Sequence, residues 1–182
     1  MAPIDGRIRG ARADDARAIQ AIYAPFVRDT AISFEVEPPG IAQMRRRIES
    51  TLPDFPWLVW ESDDGVAGYA YAGRHQERPA YRWSVNVSAY VNPQLHRRGI
   101  GGALYRELLR LLRHQGFVNA YAGITLPNAS SVALHESVGF TPLAVYRGVG
   151  FKMGRWHDVG WWELALAERA PDPAPPRPLA RA

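Results

Sequence analysis

The sequence contains no cysteine. This absence excludes disulfides, zinc–thiolate sites and a cysteine nucleophile, so any chemistry must come from backbone amides or from His, Tyr, Asp, Glu or Arg side chains. The sequence also lacks an apolar run near the roughly 20 residues that a membrane-spanning helix needs. Residues 1–9 contain no apolar stretch that resembles the core of a signal peptide. We therefore expect a soluble, cytoplasmic protein without a membrane partner.

Lysine is nearly absent as well, because Lys152 is the only lysine among the 22 basic residues. The formal net charge is +4. Two explanations stay open: a coding preference for arginine, or arginines that meet an anionic ligand, since guanidinium matches carboxylate and phosphate geometry. The basic residues are spread along the chain, and the densest run, Arg45-Arg46-Arg47, lies on a predicted amphipathic helix. A nucleic-acid partner is therefore not expected.

The length of 182 residues and the hydrophobic content of 47% favour one domain with a sizeable core. Strands are predicted over residues 7–12, 57–60, 66–73, 82–91, 117–124, 140–147 and 160–166. Helices are predicted after Asp14, over 40–50, after the glycine-rich turn at 97–102, and over 128–137. The pattern indicates a mixed α/β fold with about seven strands and four helices. We expect one domain over residues 1–168 and a disordered, proline-rich tail over 169–182.

The strongest local motif is a strand followed by His96-Arg97-Arg98-Gly99-Ile100-Gly101-Gly102 and then a helix. Glycines at a helix start let a ligand approach the backbone, and the free N–H groups there suit an anion such as a pyrophosphate. The motif lacks the third glycine of a dinucleotide-binding turn, because Leu104 stands there, and the Gly-Lys-Ser/Thr of a P-loop. Alone, these glycines could equally shape only a tight turn.

A second motif follows about 30 residues later: Asn128-x-x-Ser131-x-x-Leu134-His135-Glu136-x-x-Gly139-Phe140. Together the two motifs resemble the cofactor-binding signatures of the GNAT superfamily of acetyltransferases. Further segments resemble the phosphinothricin N-acetyltransferase family within it: Tyr69-Ala70-Tyr71-Ala72-Gly73, Ala80-Tyr81-x-Trp83, Ala89-Tyr90-Val91, Leu126-Pro127-Asn128, Gly150-Phe151-Lys152 and Gly154 through Gly160. The likeness runs from about Ile8 to Leu166.

This resemblance implies the GNAT fold and transfer of acetyl from acetyl-CoA, without a metal, to the α-amine of a small amino acid such as phosphinothricin or methionine sulfoximine. It also implies a homodimer. By resemblance, the residues that bind the cofactor are Ala89, Tyr90, Val91, Arg97, Arg98, Gly99, Ile100, Gly101, Gly102, Asn128 and Ser131. The positions that match the family's substrate pocket are Phe34, Arg78, Tyr81, Ser88 and Tyr90. Arg78 is our first choice to hold the substrate carboxylate, although an exposed loop arginine is the alternative interpretation.

Three positions depart from the family's pattern. His96 stands where the first signature usually begins with Gln or Arg, and Gln76 replaces a basic residue of the substrate pocket. More seriously, the family's catalytic glutamate is Asn86 here. An amide oxygen has negligible basicity, so Asn86 can hold water or the substrate amine but cannot accept the proton.

A different base is therefore needed, and two candidates stay open. His135 is the first, on the helix that borders the cofactor in this family, and Glu35 is the second. Each could instead be purely structural. Tyr90 is included with Asn86 and His135 among the catalytic candidates, whereas His157 and Asp158 are interpreted as structural.

Two other functions remain compatible with the sequence. The first is an acetyltransferase that acts on peptide or protein N-termini. The second is an acyl-CoA-binding sensor that has lost catalysis, which Asn86 makes plausible. The physiological substrate is not determined by the sequence.

Overall fold

The computed structural model describes residues 5–179. Residues 1–4, within the segment for which no signal peptide is predicted, lie outside the described residues. Positions 180–182 of the predicted tail lie outside them as well. Seven strands are present in this range: β1 (Arg7–Gly10), β2 (Trp57–Ser62), β3 (Gly65–Arg74), β4 (Ser84–Val91), β5 (Asn119–Leu126), β6 (Thr141–Lys152) and β7 (Arg155–Ala165). Four helices accompany them: α1 (Ala16–Asp29), α2 (Ile41–Thr51), α3 (Ile100–Gln115) and α4 (Ala129–Ser137). The predicted mixed α/β class with seven strands and four helices is confirmed.

The seven strands form one sheet in the order β1-β2-β3-β4-β5-β7-β6, and only the β4–β5 pair is parallel. That pair is short, running from Ser84 opposite Asn119 to Asn86 opposite Tyr121, whereas β3 and β4 pair from residue 68 to residue 74 of β3. Beyond Asn86 and Tyr121, β4 and β5 are no longer paired with each other. We call the space between them the fork and these two residues its vertex. Along the fork, one edge of β4 has backbone groups without a strand partner.

The strand pleat divides β4 between two cores, because alternate side chains point to opposite faces of a sheet. Val85 and Val87 are buried in the larger core, under α3. The i, i+4 row of Leu104, Leu108 and Leu112 on α3 fills that core with fully buried side chains. Asn86, Ser88 and Tyr90 therefore face the other side of the sheet, which α1 and α2 cover with a smaller core. Among the described residues, no helix is both long enough and apolar enough to cross a bilayer.

The β6–β7 hairpin is longer than the predicted strands at 140–147 and 160–166. The strands continue to a two-residue turn in which Met153 and Gly154 have φ angles of 52° and 76°. The glycines of this hairpin do not end the strands, and Gly150 is a packing residue: the Phe34 ring occupies the space that a Cβ would need. Two smaller shifts accompany this one, since β4 begins at Ser84 rather than residue 82, and β5 begins at Asn119 rather than residue 117.

Lys152 fixes the hairpin to the connection between α1 and α2. Its Nζ donates to the carbonyl of Val27 at 2.6 Å and to that of Ser33 at 2.7 Å. The side chain is buried, and burial lowers the pKa of its ammonium group. Both acceptors are backbone carbonyls: Val27 lies in the last turn of α1, and Ser33 lies in the connection that follows it. The ammonium therefore satisfies carbonyls that would otherwise be buried without a partner.

The proline-rich tail differs from the unpacked segment that we expected. It is extended, but the Trp83 indole N–H donates to the Ala174 carbonyl at 2.9 Å. The Arg177 amide donates to the Gln115 carbonyl at 2.8 Å, and Gln115 Nε2 returns a hydrogen bond to the Arg177 carbonyl at 3.0 Å. Proline lacks a backbone donor, so the carbonyls and the one arginine amide make these contacts.

Candidate active site

The glycine-rich turn enters α3 with an unusual backbone. Arg97 has a φ of 60°, which is uncommon for a non-glycine residue, and Gly99 has a φ of 81° and caps the helix. The first backbone hydrogen bond of α3 is donated by the Ala103 amide to the Gly99 carbonyl, at 3.0 Å. The N–H groups of residues 100–102 precede it and have no partner within the helix. The turn thus presents a row of free donors at the positive end of the helix dipole.

The glycines of this turn differ in what surrounds them. A Cβ added to Gly101 would lie 3.1 Å from Cδ2 of Leu134 and 3.7 Å from Cγ2 of Val91, so Gly101 allows α3 to pack closely on α4 and β4. A Cβ at Gly102 would meet only the flexible guanidinium of Arg106, at 3.3 Å. Gly101 is therefore needed for packing, whereas Gly102 keeps the turn open to a ligand.

His96 lies between the end of β4 and the start of the turn. Its Nε2 is 3.0 Å from the Val91 carbonyl oxygen, and its ring stacks on Phe26 with centroids 6.4 Å apart. The unusual residue at the head of the first signature therefore contacts its own strand and α1. The turn keeps its shape without the usual Gln or Arg.

Asn128 and Ser131 organise the start of α4. The Asn128 Oδ1 accepts from the Ser131 amide at 3.1 Å, which is the hydrogen bond of a helix N-cap. The Asn128 carboxamide oxygen is therefore occupied, and its Nδ2 is the polar atom left for a ligand.

His135, the first candidate base, is buried on α4. Its Nδ1 lies 2.7 Å from the Ser131 carbonyl, and its Nε2 lies 2.8 Å from the Tyr105 hydroxyl. A carbonyl only accepts, so Nδ1 carries the proton and Nε2 accepts from Tyr105. Burial lowers the pKa of His135, which favours the neutral ring. Tyr105 and Phe140 beside it belong to the α3 core, so His135 lies on the face of the sheet opposite Asn86. This geometry favours the structural interpretation.

Glu35, the second candidate base, is held by an ion pair. Arg47 donates to both of its carboxylate oxygens at 2.7 and 2.9 Å, and the Tyr23 hydroxyl donates at 2.8 Å. These hydrogen bonds, with Arg47 the largest cause, hold the pKa of Glu35 below its ordinary value. A carboxylate stabilised in its charged form is a weaker proton acceptor. Glu35 is therefore suited to positioning Arg47 and Tyr23 rather than to proton removal.

Tyr90 lies in an aromatic cluster on the α1–α2 side. Its ring centroid is 4.9 Å from that of Tyr23, 5.3 Å from Phe26 and 5.4 Å from Tyr69. Burial raises the pKa of Tyr90 well above its ordinary value, so the phenol stays neutral and can donate a hydrogen bond. Ser88 is on the same face, paired in register with Tyr71 of β3.

His75 is not among the predicted site residues, yet it contacts Asn86 directly. Asn86 Oδ1 lies 2.8 Å from His75 Nδ1, and the imidazole stacks on Tyr121 with ring centroids 4.5 Å apart. Asn86 and Tyr121 are the two residues at the vertex of the fork, so His75 lies there too. One signal could have found it: pairing of β3 with β4 places Gly73 opposite Asn86, which brings the residue two positions later to the same face.

The remaining predicted pocket residues are not all in one place. Tyr81 is near the vertex, with its ring centroid 6.1 Å from His75. Arg78 instead lines a groove of about 350 Å³ together with the tail residues 175–178. Phe34 packs on Gly150 of the hairpin and lies 6.2 Å from His157.

His157 and Asp158 hold the hairpin itself. His157 Nε2 is 2.9 Å from the Lys152 carbonyl, and Asp158 accepts from the Gly148 amide at 2.7 Å. Both contacts fit the structural interpretation given to these residues. Within residues 5–179, no three His, Asp or Glu side chains are grouped to hold a metal ion.

Comparisons with known proteins agree with this architecture. A model of the acetyltransferase (GNAT) domain family matches residues 8–161. The chain is 40% identical to a phosphinothricin N-acetyltransferase of Streptomyces viridochromogenes over 94% of this chain and 92% of the relative. It is 36% identical to an L-methionine sulfoximine/L-methionine sulfone acetyltransferase of Salmonella typhimurium, over 90% and 96%. A phosphinothricin acetyltransferase from Sinorhizobium meliloti, solved with acetyl-CoA, superposes with a TM-score of 0.88 at 35% identity, covering 93% of each chain.

The burial of His135 predicts how the free energy of unfolding depends on pH. Burial places the pKa of the folded residue below the roughly 6.5 of an unfolded histidine. On acidification the unfolded chain therefore takes up the proton first, so stability held above about pH 6.5 is lost as the pH falls through the folded pKa. His135→Ala should lower the free energy of unfolding at pH 7 by about 1–3 kcal/mol, because the buried Tyr105 hydroxyl loses its partner. It should also flatten the decline of stability between pH 7 and pH 5.

Urea denaturation at several pH values measures both effects. His114→Ala is the matched control, since that histidine is exposed in the last turn of α3. An unchanged stability and an unchanged pH dependence in His135→Ala would contradict the structural role.

Proposed function

The chain belongs to the GNAT family of N-acetyltransferases, and from that premise we propose that it transfers acetyl from acetyl-CoA to the α-amino group of a small amino acid or glutamate analogue. The single observation that carries this proposal is the fork, which opens between β4 and β5 beside the glycine-rich turn of α3. The substrate class is supported by the names of the relatives, which act on phosphinothricin and on methionine sulfoximine and sulfone.

Acetyl-CoA would be held by backbone groups on two elements. The free amides of residues 100–102, at the positive end of α3, suit the pyrophosphate, and Arg97 and Arg98 add charge beside it. The unpaired edge of β4 at residues 89–91 suits the amide groups of the pantetheine arm, which would add to the sheet as a short strand. Asn128 Nδ2 and Ser131, at the start of α4, supply further polar atoms. The residues present therefore fit the cofactor that the family implies.

The reaction needs an uncharged nitrogen. An α-amino group with a pKa of about 8 is about one-tenth neutral at pH 7, so removal of one proton from the ammonium accelerates transfer. The amine then attacks the thioester carbon: the C–N bond forms, the C–S bond breaks, and the departing thiolate takes the second proton of the nitrogen. Backbone N–H groups near Val91 would stabilise the oxyanion of the tetrahedral intermediate. Asn86 cannot itself accept the proton, because an amide oxygen has negligible basicity.

Homodimer formation belongs to this proposal. Seven large apolar side chains of the β6–β7 hairpin are at least half exposed: Leu143, Val145, Tyr146, Val149, Phe151, Met153 and Trp156. An exposed apolar patch of this size on an edge strand marks an interaction surface. We assign a second copy of the chain as its occupant.

The first test of the cofactor site uses Gly102→Val. A side chain at this position should block approach to the amides of the turn while disturbing only the flexible Arg106, so affinity for acetyl-CoA should fall at least about tenfold. Isothermal titration calorimetry measures the dissociation constant for acetyl-CoA and for free CoA, which share the pyrophosphate. Gly40→Val is the control, because Gly40 also caps a helix and has open space around it. Equal affinity in wild type and Gly102→Val would rule out this turn as the pyrophosphate site.

The second test concerns the substrate carboxylate. We expect the amide of an accepted amino acid to react with a lower kcat/KM than the acid, and Arg78→Ala to remove most of that difference, because a bidentate guanidinium–carboxylate pair is lost. Thiol release measures both rates. Arg82→Ala, from the same groove, is the control and should preserve the preference. If wild type treats acid and amide alike, Arg78 is not the carboxylate anchor.

The third test concerns assembly. Trp156→Arg combined with Val145→Arg places two charges in the exposed patch of the hairpin and should convert a dimer to a monomer. Light scattering coupled to gel filtration measures the mass of each protein. A monomeric wild type at micromolar concentration would refute the dimer.

A second candidate function, favoured by Asn86, is an acyl-CoA sensor without catalysis. It predicts tight acetyl-CoA binding with no thiol release in the presence of any amine. A screen of phosphinothricin, methionine sulfoximine, methionine sulfone, ordinary amino acids and short peptides separates the sensor from the enzyme. Preference for peptides in the same screen would instead indicate an N-terminal acetyltransferase.

A further inference from the structure

We infer that His75 is the general base of the transfer reaction and that Asn86 is the positioning residue that holds it in the reactive tautomer. The inference rests on the proposed function and names the group that removes the proton. A carboxylate at position 86 would itself be the base. In this chain the Asn86 amide positions the neighbouring His75 imidazole, and the imidazole accepts the proton.

The hydrogen bond to Asn86 determines which ring nitrogen can act. The Asn86 Oδ1 only accepts, so His75 Nδ1, 2.8 Å away, carries the proton. The lone pair of the neutral imidazole is then on Nε2. Within residues 5–179, no side chain or backbone group is hydrogen-bonded to this nitrogen. Nε2 therefore remains available to accept a proton, as the base of a catalytic triad does.

Packing fixes the plane of the ring. The imidazole stacks on Tyr121 at 4.5 Å with an interplanar angle of 29°, and Trp161 meets it edge-on at 6.2 Å. With Asn86 holding one nitrogen and two aromatic rings limiting rotation, the imidazole has little freedom. His75 is half-buried, so it is packed on one side and open on another.

The location of His75 matches where the proton must be removed. The edge of β4 that has no β5 partner, residues 87–91, runs for about 17 Å at about 3.3 Å per residue, from the glycine-rich turn to the vertex. A cofactor anchored by its pyrophosphate at that turn, with its arm along β4, has its thioester end directed toward the vertex. His75, Asn86 and Tyr121 meet at that point.

The other candidate bases are poorly placed to accept a proton at the vertex. His135 lies on the opposite face of the sheet with both nitrogens occupied, and Glu35 is bound by Arg47. The Tyr90 phenol is kept neutral by burial. The titratable or charged side chains that remain around His75, on its own loop and on the elements packed against it, are Arg74, Glu77, Tyr81, Tyr121 and Glu163. Two of these groups are carboxylates: Glu77 is paired with Arg74 at 3.6 Å, and Glu163 is the cross-strand partner of Tyr121.

Nε2 of neutral His75 accepts one proton from the substrate ammonium and becomes imidazolium, and the free amine attacks the thioester. The second proton of the nitrogen goes to the departing thiolate. His75 then releases its proton to solvent, so each turnover yields the N-acetyl product, free thiol and one proton.

Thiol release with an accepted amino acid, measured from pH 6 to pH 9.5, tests the inference. His75→Ala should lower kcat/KM at pH 7 by about 100-fold or more, the usual range for a lost general base. The deficit should shrink near pH 9, where the substrate amine is itself neutral. His75→Gln should behave like His75→Ala, and both should keep the wild-type dissociation constant for acetyl-CoA. His114→Ala and Glu163→Gln are the matched controls and should keep the wild-type rate.

Asn86 variants test whether Asn86 acts by positioning His75. Asn86→Ala should reduce kcat/KM by about tenfold, and adding it to His75→Ala should cost nothing more, because the two residues act as one unit. Asn86→Glu introduced into His75→Ala should restore most of the lost rate by supplying a carboxylate. Nitrogen-15 NMR of the imidazole should show the Nδ1–H tautomer in wild type and a tautomer mixture in Asn86→Ala.

The outcomes separate this inference from the proposed function. Thiol release by wild type together with an undiminished rate in His75→Ala and His75→Gln would overturn the role of His75 alone. A wild-type Nε2–H tautomer would overturn the role of Asn86. Absence of thiol release with every amine would overturn the proposed function and the base with it.

Discussion

The short contact between β4 and β5 is the constraint on which the site depends. Parallel strands in a sheet usually share a ladder along their whole length, yet here the ladder ends at Asn86 and Tyr121. The two strands are kept apart because each is committed elsewhere, β4 to β3 and β5 to β7. An interrupted ladder is costly unless another group meets the exposed backbone. A cofactor with amide groups along its arm is such a group, and under the proposed function it would bind along this edge of β4.

The two faces of the sheet carry different kinds of residue. On the α3 face, β4 contributes valines, and the buried histidine there, His135, has both nitrogens occupied. On the other face, β4 contributes Asn86 and Ser88, and polar or aromatic side chains surround them. A histidine on a motif helix and a histidine after a strand look equally suitable in a sequence. Which face of the sheet each one reaches decides what it can do.

Much of the molecule followed from local patterns. The glycine-rich turn before α3 and the alternation of strands and helices are encoded by residues close together in the chain, so the sequence was enough to predict them. His75 was missed because its contact with Asn86 depends on the register between β3 and β4. The β6–β7 hairpin extends beyond the predicted strands, and the packing of Gly150 on the Phe34 ring is a contact between residues far apart in the chain. The tail looked unpacked because its partners, Trp83 and Gln115, lie far away in the chain.

The single lysine has a chemical consequence for a protein that holds a thioester. A thioester is an acylating agent, and an exposed, uncharged lysine ε-amine is a nucleophile that can react with it. This chain carries its basic charge on arginine, whose guanidinium stays protonated and is no nucleophile. Its one ε-amine, on Lys152, is only 9% exposed and is bound to two carbonyls. The described fold therefore offers the bound reagent almost no side-chain amine of its own, and the acetyl group is kept for the acceptor.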